Sequence, residues 1–533
     1  MKQMPHEDSW KMVCAFAVGI FVYSTIQGWE LLGFQHAEVF GHVWGYNWRF
    51  QDFPVNFFGT DRAVGTEYFP LIDPIPTLCV SVLNIVFSLP TAYILFVVAT
   101  MAVNAQAISR LIQEELPEVT ESPLGQWHLM IPVSLVFSTP ILWGAFNSGL
   151  TEDYGVFLTA TSLILLRQKR YVLSGLVLAT SAYWGLVLGW MSGILLGLYV
   201  LFHRVSIKES ITMFGTSIVG VLPLLWVHWD RLGLAGHRTG SLPTMPDNMP
   251  DNITDPMWML NPWHHTDLAS MFFVGSVDYS EHIIRLHPAS LGWIAIIVSM
   301  GCRDWRWWGM FLSCIGFALG SEIHWMGAST GVSNPFHTVL SLFPGSEVLN
   351  HHGRWMLMGV LCWLVIVVKG VYFSKWQRWK YWITIAIICE WVLMTPLGFP
   401  IVGTSVIGDS VVLQSIRTME MDHAERLLRV PVRGPDVVFQ QALYEQTIHD
   451  QRIWMNPNRP DPSSWFDITA RTKWIETIAH TKEISEDSCV PKGVGILLVA
   501  EPYILIAQSA FGEPVKADDQ YAVWTSFPIC ETN

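Results

Sequence analysis

The chain carries little charge for its length. Lys, Arg, Asp and Glu together make up 14% of the 533 residues, against roughly 25% in an ordinary soluble domain. The formal net charge is −13, and the sequence has no long basic run and no Walker A or G-x-G-x-x-G arrangement. These absences exclude a basic nucleic-acid-binding protein and argue against a pump driven by nucleotide binding to this chain.

Cysteine is also scarce, and its placement is uneven. There are eight cysteines and no C-x-x-C or zinc-ligand spacing. Six lie in or beside apolar segments, where a buried thiol acts as a small hydrophobic group. The other two, Cys489 and Cys530, lie in the last part of the chain. An oxidising compartment would permit a disulfide between them, and the alternative is two unpaired buried thiols.

The chain does have many hydrophobic residues and several long apolar runs. Hydrophobic residues make up 51% and there are 27 Trp. Tryptophan is typical of boundaries between water and lipid, so the excess predicts such boundaries. A membrane-spanning helix needs about 20 mostly apolar residues, and runs of this kind predict about eleven spans. The run 171–203 is too long for one ordinary span, and Ala182–Gly185 is the predicted turn between two short helices.

The distribution of basic residues predicts the orientation. Arg167–Arg170, Arg204, Arg303 and Lys375–Lys380 lie in short connections, and such residues favour the cytoplasmic side. With eleven spans, the N-terminus is then inside, and the connections 33–89, 231–287 and 323–353 lie outside. Residues 1–403 are thus the predicted membrane domain of a mainly α fold, a polytopic transmembrane helical bundle.

The rest of the chain, 404–533, has a different pattern. Mixed charges alternate with short β-like runs, Gly495–Val499 and Tyr521–Trp524, bounded by turn residues. This pattern is typical of strands, and 130 residues are enough for a separate core. The sequence predicts a C-terminal extracytoplasmic α/β or α+β domain.

Charged side chains that could perform chemistry are concentrated in the first predicted outer loop. It contains Glu38, Arg49 and Asp73 among other ionisable residues. A carboxylate near the membrane face could deprotonate an acceptor hydroxyl or bind a divalent ion on a phosphate. The alternative is that these charges only solvate a loop.

Two later predicted outer loops add acids and cations. Glu152 and Asp153 follow Thr151 in a very short loop, where they either face the first loop across a cavity or only favour the positive end of the next helix. His351, His352 and Arg354 lie just before a late span. Arg354 either grips a phosphate with two hydrogen bonds or is an interfacial side chain that reaches back to water.

Several short motifs, in this order, resemble the GT-C type of membrane glycosyltransferase, particularly its bacterial polytopic members. The resemblance covers nearly the whole chain. Its motifs are short, so they indicate architecture more firmly than activity. They are His36–His42, the Pro-rich Phe69–Pro76, Thr151–Asp153, Gly353–Trp355 and, in the tail, Tyr444–His449, Gly493–Val499 and Gly512–Val515.

The resemblance implies transfer of a sugar from a polyprenyl-phosphate donor to an acceptor on the outer face. The first-loop acid, Glu38, would be the general base, and Glu152 or Asp153 would assist it or bind a divalent metal ion as cofactor. Arg354, His351, His352, Arg49 and Asp73 are the predicted substrate-binding residues. One departure matters: the family usually has an acid directly after the first span, where Gly33-Phe34-Gln35 stands here. Either Glu38 or Glu30 takes the role, or the acid has been lost.

The resemblance also implies a location and partners. The chain is expected in a bacterial cytoplasmic (inner) membrane, with its terminal domain periplasmic and with membrane lipid and a lipid-linked sugar as partners. The competing hypothesis is a non-catalytic scaffolding subunit of a larger membrane assembly, with protein partners. No nucleic-acid partner is expected.

Overall fold

The computed structural model of the chain describes residues 6–29, 31–32, 43, 46, 73–116, 125–149, 151–227, 268–272, 290–325, 328–343, 346, 352–373, 377–394, 403–404, 410–421, 425–430, 444–446, 448–451, 490, 494–501 and 503–527. The chain forms two compact units. The first comprises Met1–Phe34 and Ile72–Thr404, and the second comprises Gln35–Leu71 and Ser405–Asn533.

The first unit is mainly helical. Its α-helices are α1 (His6–Ile26), α2 (Pro74–Asn84), α3 (Leu89–Glu115), α4 (Gly125–Ser138), α5 (Pro140–Ser148), α6 (Val156–Arg167), α7 (Tyr171–Trp184), α8 (Leu186–His203), α9 (Ile207–Val227), α10 (Trp293–Ser299), α11 (Trp305–Ala318), α12 (Pro335–Leu340), α13 (Trp355–Phe373) and α14 (Lys380–Met394). Short 3-10 helices cover Thr151–Gly155, Leu268–Met271, His352–Arg354 and Gln377–Trp379.

Short antiparallel strand pairs complete this unit. β1 (Leu31–Leu32) pairs with β4 (Gly403–Thr404), and β2 (Glu322–Trp325) pairs with β3 (Ala328–Ser333).

Among the residues that the structure describes, four helical segments are long and apolar enough to cross a membrane: Leu89–Glu115, Leu186–His203, Ile207–Trp226 and His352–Phe373. Apolar helices of this length support an integral membrane protein. The predicted break in the run 171–203 is confirmed, because α7 ends at Trp184 and α8 begins at Leu186. The total of about eleven spans stays a prediction.

Helix α13 lies in the interior of the first unit. Every residue from Trp355 to Tyr372 is buried, and α13 contacts α3, α10 and α11 among others. A helix that is apolar on all sides is expected in such a position. Its two ends carry charge, however: Arg354 precedes it and Lys369 lies in its last turns, about 22 Å apart at 1.5 Å per residue.

The second unit contains a small mixed sheet. Its strands are β5 (Arg426–Val430), β6 (Val494–Ala500), β7 (Lys516–Ala517) and β8 (Tyr521–Trp524), in the order β5-β6-β8-β7. β5 and β6 are parallel, whereas β8 is antiparallel to both of its neighbours. The two predicted strands in this region are confirmed. Two helices, α15 (Val411–Ile416) and α16 (Ile504–Phe511), pack on the sheet.

An ion pair lies inside the second unit. Arg429 on β5 donates from Nε and Nη2 to the two carboxylate oxygens of Glu445, at 2.8 and 2.9 Å. Tyr521 on β8 donates its hydroxyl to the same carboxylate at 2.8 Å. All three side chains are buried, so this carboxylate links two strands through charge-assisted bonds.

Tryptophan is not confined to boundaries with lipid, so the expectation from composition was wrong for part of the set. Trp307, Trp355, Trp363 and Trp391 are fully buried in the first unit, and Trp524 is fully buried in the second. Others are largely exposed on the helices, such as Trp226 and Trp382. The large aromatic side chains therefore fill cores as well as surfaces.

Candidate functional site

The first acid of the site, Asp73, directly precedes α2. Pro74 and Pro76 begin that helix, where proline is tolerated because the first helical N–H groups have no intrahelical acceptor. The buried Asp73 carboxylate accepts a hydrogen bond from Thr77 Oγ1, one turn later, at 3.3 Å. It accepts a second from Thr151 Oγ1 at 3.0 Å. This carboxylate therefore joins α2 to the Thr151–Gly155 turn.

The Thr151–Gly155 turn is held in place by its neighbours. Trp184 Nε1 donates to the Thr151 carbonyl at 3.0 Å. Gly185 allows the turn to approach closely, since a Cβ there would lie 2.6 Å from Glu152 Cβ. The break between α7 and α8 thus makes room for the acidic turn.

Tyr154 anchors the other end of the same turn. Its hydroxyl donates to the Phe146 carbonyl at 2.9 Å, and its own carbonyl accepts from Asn104 Nδ2 at 2.6 Å. Asn104 lies inside α3 and is buried. These bonds fix the backbone on both sides of Glu152 and Asp153, so the two carboxylates have little freedom to move away.

Arg354 lies between these two acids. Its Nη2 is 3.1 Å from Glu152 Oε1, and its Nε is 3.5 Å from Asp153 Oδ2. The side chain of Asp153 is fully buried, while those of Arg354 and Glu152 remain 8% and 14% exposed. Glu152 is therefore the more exposed of the two partners of Arg354.

The arrangement brings together three carboxylates and one guanidinium from distant parts of the sequence. Asp73, Glu152, Asp153 and Arg354 were all predicted as site residues, and the structure gathers them at one end of α13. The three carboxylates outnumber the one guanidinium, so the cluster contains both a group that can bind an anion and groups that can accept a proton.

The other predicted site residues are placed differently. His352 is half-buried, and its ring centroid lies 5.2 Å from that of His337. His337 was not predicted as a site residue, and burial lowers the pKa of its imidazole. Glu38, Glu30, Arg49, His351, Cys489 and Cys530 lie outside the described residues.

The divalent metal ion implied by the resemblance stays a prediction. Within the described residues, no group of three His, Cys, Asp or Glu side chains could hold a metal ion. The guanidinium of Arg354 already occupies the space between Glu152 and Asp153, where a cation would bind.

Sequence reasoning missed a second charged cluster, at the opposite end of α13. Lys369 Nζ bonds Glu115 Oε2 at 2.9 Å and Asp304 Oδ2 at 2.8 Å. Arg167 also pairs with Glu115. A lysine inside an apolar run of this length was the available signal, because ionisable residues within membrane spans usually have a partner or a function.

Comparison with known proteins adds little. No family model matches the chain, and no curated protein matches it either. One solved structure to which the chain is similar is the crystal structure of ArnT from Cupriavidus metallidurans in the apo state. The sequence identity is 13%, the alignment covers 96% of this chain and 98% of that one, and the TM-score is 0.36. A sequence identity and a TM-score this low support no inference about function.

Proposed function

We propose that the protein is a GT-C-type membrane glycosyltransferase, which moves a sugar from a lipid-phosphate donor to an acceptor on the extracytoplasmic face. The observation that carries the proposal is the position of Arg354. Its guanidinium is held by Glu152 and Asp153 at the end of an interior apolar helix, close to where a lipid-borne phosphate would lie.

Arg354 would bind the phosphate of the donor. A guanidinium makes two parallel hydrogen bonds to a phosphate, and one that neighbouring carboxylates already orient loses little freedom on binding. The donor phosphate would displace Glu152, the more exposed partner. Asp153 would stay in contact with the guanidinium and keep it oriented toward the phosphate.

The chemical step needs a proton acceptor. The acceptor hydroxyl oxygen attacks C1 of the sugar while the bond from C1 to the phosphate oxygen breaks and the lipid phosphate leaves with that electron pair. The hydroxyl proton passes to a carboxylate acting as general base. We assign this role to Glu38, with Glu152 and Asp153 assisting and with Asp73, Arg49, His351 and His352 contacting the substrate.

The protein would lie in a bacterial inner membrane. The N-terminus would lie inside, and the second unit would lie on the periplasmic side with the acceptor. The partners would be membrane lipid and a lipid-linked sugar.

The proposal is tested with purified full-length protein, a panel of polyprenyl-phosphate sugars and a panel of acceptors that carry a free hydroxyl, by measuring release of polyprenyl phosphate. Glu38→Gln is expected to lower the rate by about 10²- to 10⁴-fold, the usual contribution of a general base. Arg354→Lys is expected to weaken donor binding, because an ammonium cannot reproduce the two-bonded grip on phosphate.

The matched control is Glu114→Gln. Glu114 accepts a bond from Gln168 Nε2 at the opposite end of α3 from the site, and a glutamine carbonyl can still accept it. This variant should retain full activity. Release from no donor by the wild type, or unchanged rates in both site variants, would show the proposed function to be wrong.

A second function has one observation in its favour. Arg354 is matched by two carboxylates within the protein, as in an ion cluster that only ties helices together. A non-catalytic scaffolding subunit would have such a cluster. Purification with partners in fixed stoichiometry, together with no change in cell-surface glycans on deletion, would favour this function.

A further inference from the structure

A polar cavity of about 510 Å³ lies at the end of α13 remote from Arg354. Its walls come from Glu115, Lys369, Phe373 and the turn 301–304 between α10 and α11. Helices α3, α6 and α13 all end on this side, at Glu115, Arg167 and Phe373. The cavity therefore lies where the ends of apolar helices meet a polar boundary.

Close packing forms the cavity wall. Gly370 on α13 lies directly against the Val298 carbonyl of α10, and a Cβ would clash with that carbonyl. The turn that follows is fixed by bonds from the Cys302 amide to the Ser299 carbonyl, at 2.8 Å, and from Trp308 Nε1 to the Cys302 carbonyl, at 3.1 Å. These contacts hold α10 and the turn that follows it close to α13.

The inner part of the cavity is electrically balanced. Glu115 accepts from Arg167, from Lys369 and from Trp307 Nε1. Lys369 donates to both Glu115 and Asp304. Across the cluster two acids are matched by two cations, but Lys369 shares its one charge between Glu115 and Asp304, so Asp304 is only partly neutralised.

The outer edge of the cavity is different. Asp304 caps α11 by accepting from the Arg306 amide, yet its side chain remains 27% exposed. A carboxylate has about four lone-pair sites, so Asp304 can accept further bonds. Arg303, the adjacent residue, is exposed and makes no ion pair with the residues that the structure describes.

The groups offered to a ligand are therefore one carboxylate edge and one guanidinium, side by side on one turn. A simple anion would meet Arg303 but would be repelled by Asp304. A simple cation would be attracted by Asp304 but repelled by Arg303. A ligand that carries both a phosphate and a primary ammonium satisfies both groups at once.

The apolar rim indicates where such a ligand comes from. Phe373 lines the cavity and is 54% exposed. An exposed phenyl ring next to charged groups at the end of a membrane helix suits a molecule with acyl chains below its headgroup.

We propose that this cavity binds the headgroup of a zwitterionic aminophospholipid from the adjacent leaflet, with its phosphate on Arg303 and its ammonium on Asp304. Phosphatidylethanolamine has this chemistry. The assignment is independent of sugar transfer, because its readout is lipid retention rather than activity.

The test is native mass spectrometry of the full-length protein with equimolar phosphatidylethanolamine, phosphatidylcholine and phosphatidylglycerol of identical acyl chains. Phosphatidylethanolamine should be retained most. Asp304→Asn should remove the preference over phosphatidylcholine, whose methylated nitrogen donates no hydrogen bond. Arg303→Gln should weaken retention of phosphatidylethanolamine and of phosphatidylcholine by about tenfold, the equivalent of one charge-assisted bond.

Folding is controlled in two ways. Asparagine is as good a helix cap as aspartate, so Asp304→Asn preserves the start of α11. Glu114→Gln and Arg170→Gln change charges on the same side without touching the cavity, and both should bind lipid as the wild type does.

Three outcomes would overturn the proposal. They are strongest retention of phosphatidylglycerol, equal retention of all three lipids by the wild type, and unchanged retention in both cavity variants. Millimolar glycerophosphoethanolamine should fail to displace the lipid. Displacement would assign the cavity to a soluble zwitterion instead.

Discussion

Replacing Arg354 by Gln tests the ion cluster at the acidic turn. The Arg354 side chain is 8% exposed and that of Asp153 is fully buried, so the substitution leaves buried negative charge without this guanidinium. Removing one partner of a buried ion pair typically costs about 3–5 kcal/mol. Glutamine can still donate one hydrogen bond to Glu152, which places the expected cost near the lower end of that range.

The triple variant Arg354→Met, Glu152→Gln and Asp153→Asn separates charge from packing. It removes both signs of charge together, and replacing a whole buried ion pair is often close to neutral. We therefore expect the triple variant to be more stable than the single one, although it has lost more of the native contacts.

The assay is hydrogen exchange of the amides in 151–155, in the full-length protein. Local opening controls such exchange, so a loss of about 3 kcal/mol corresponds to exchange faster by about two orders of magnitude. Unchanged exchange in Arg354→Gln would refute the reasoning. A triple variant less stable than the single one would do so as well, because packing and not charge would then hold the turn.

Two further predictions concern the second unit, where exchange of the β5 and β6 amides is again the measurement. Glu445→Gln should lower the free energy of unfolding by about 3–5 kcal/mol, because it leaves Arg429 buried without its carboxylate. Tyr521→Phe should lower it by less, about 1.5–3 kcal/mol, since it removes one bond to a charged group. Equal losses in the two variants would contradict the central role of the ion pair. Burial lowers the pKa of His449 to about 3, below the value of about 6.5 in an unfolded chain. The unfolded state then binds the proton first, so stability falls as the pH drops below about 6.5 and continues to fall to about 3, with a loss of about 2 kcal/mol at pH 5 relative to pH 7. His449→Gln should flatten this dependence, and an unchanged pH profile would mean that another group is responsible.

The sequence was informative where the signal is local. The break at Gly185 follows from a run too long for one span, and strands β6 and β8 follow from short apolar runs between turn residues. The candidate residues Asp73, Glu152, Asp153 and Arg354, which the structure brings together, were singled out in the sequence because charged side chains stand out next to apolar spans.

Local patterns were less informative where several elements meet. The buried Trp355 and Trp363 lie in a helix whose neighbours cover it on all sides, which the composition could not indicate. Lys369 lies within an apparently ordinary apolar run, and its partners Glu115 and Asp304 are 254 and 65 residues away along the chain. His337 and His352 are 15 residues apart along the chain, and only the folded chain brings their ring centroids to 5.2 Å.

The sequence by itself determined an apolar, mainly helical membrane protein with a separate terminal region, because helix length and hydrophobic patterning are properties of single segments. Only the tertiary structure decided which charges meet. An ion pair depends on distances between segments, and those distances are set by side-chain packing, such as the close approach at Gly185 and Gly370. Packing placed one charged cluster at each end of α13, the acidic one around Arg354 and the balanced one around Lys369.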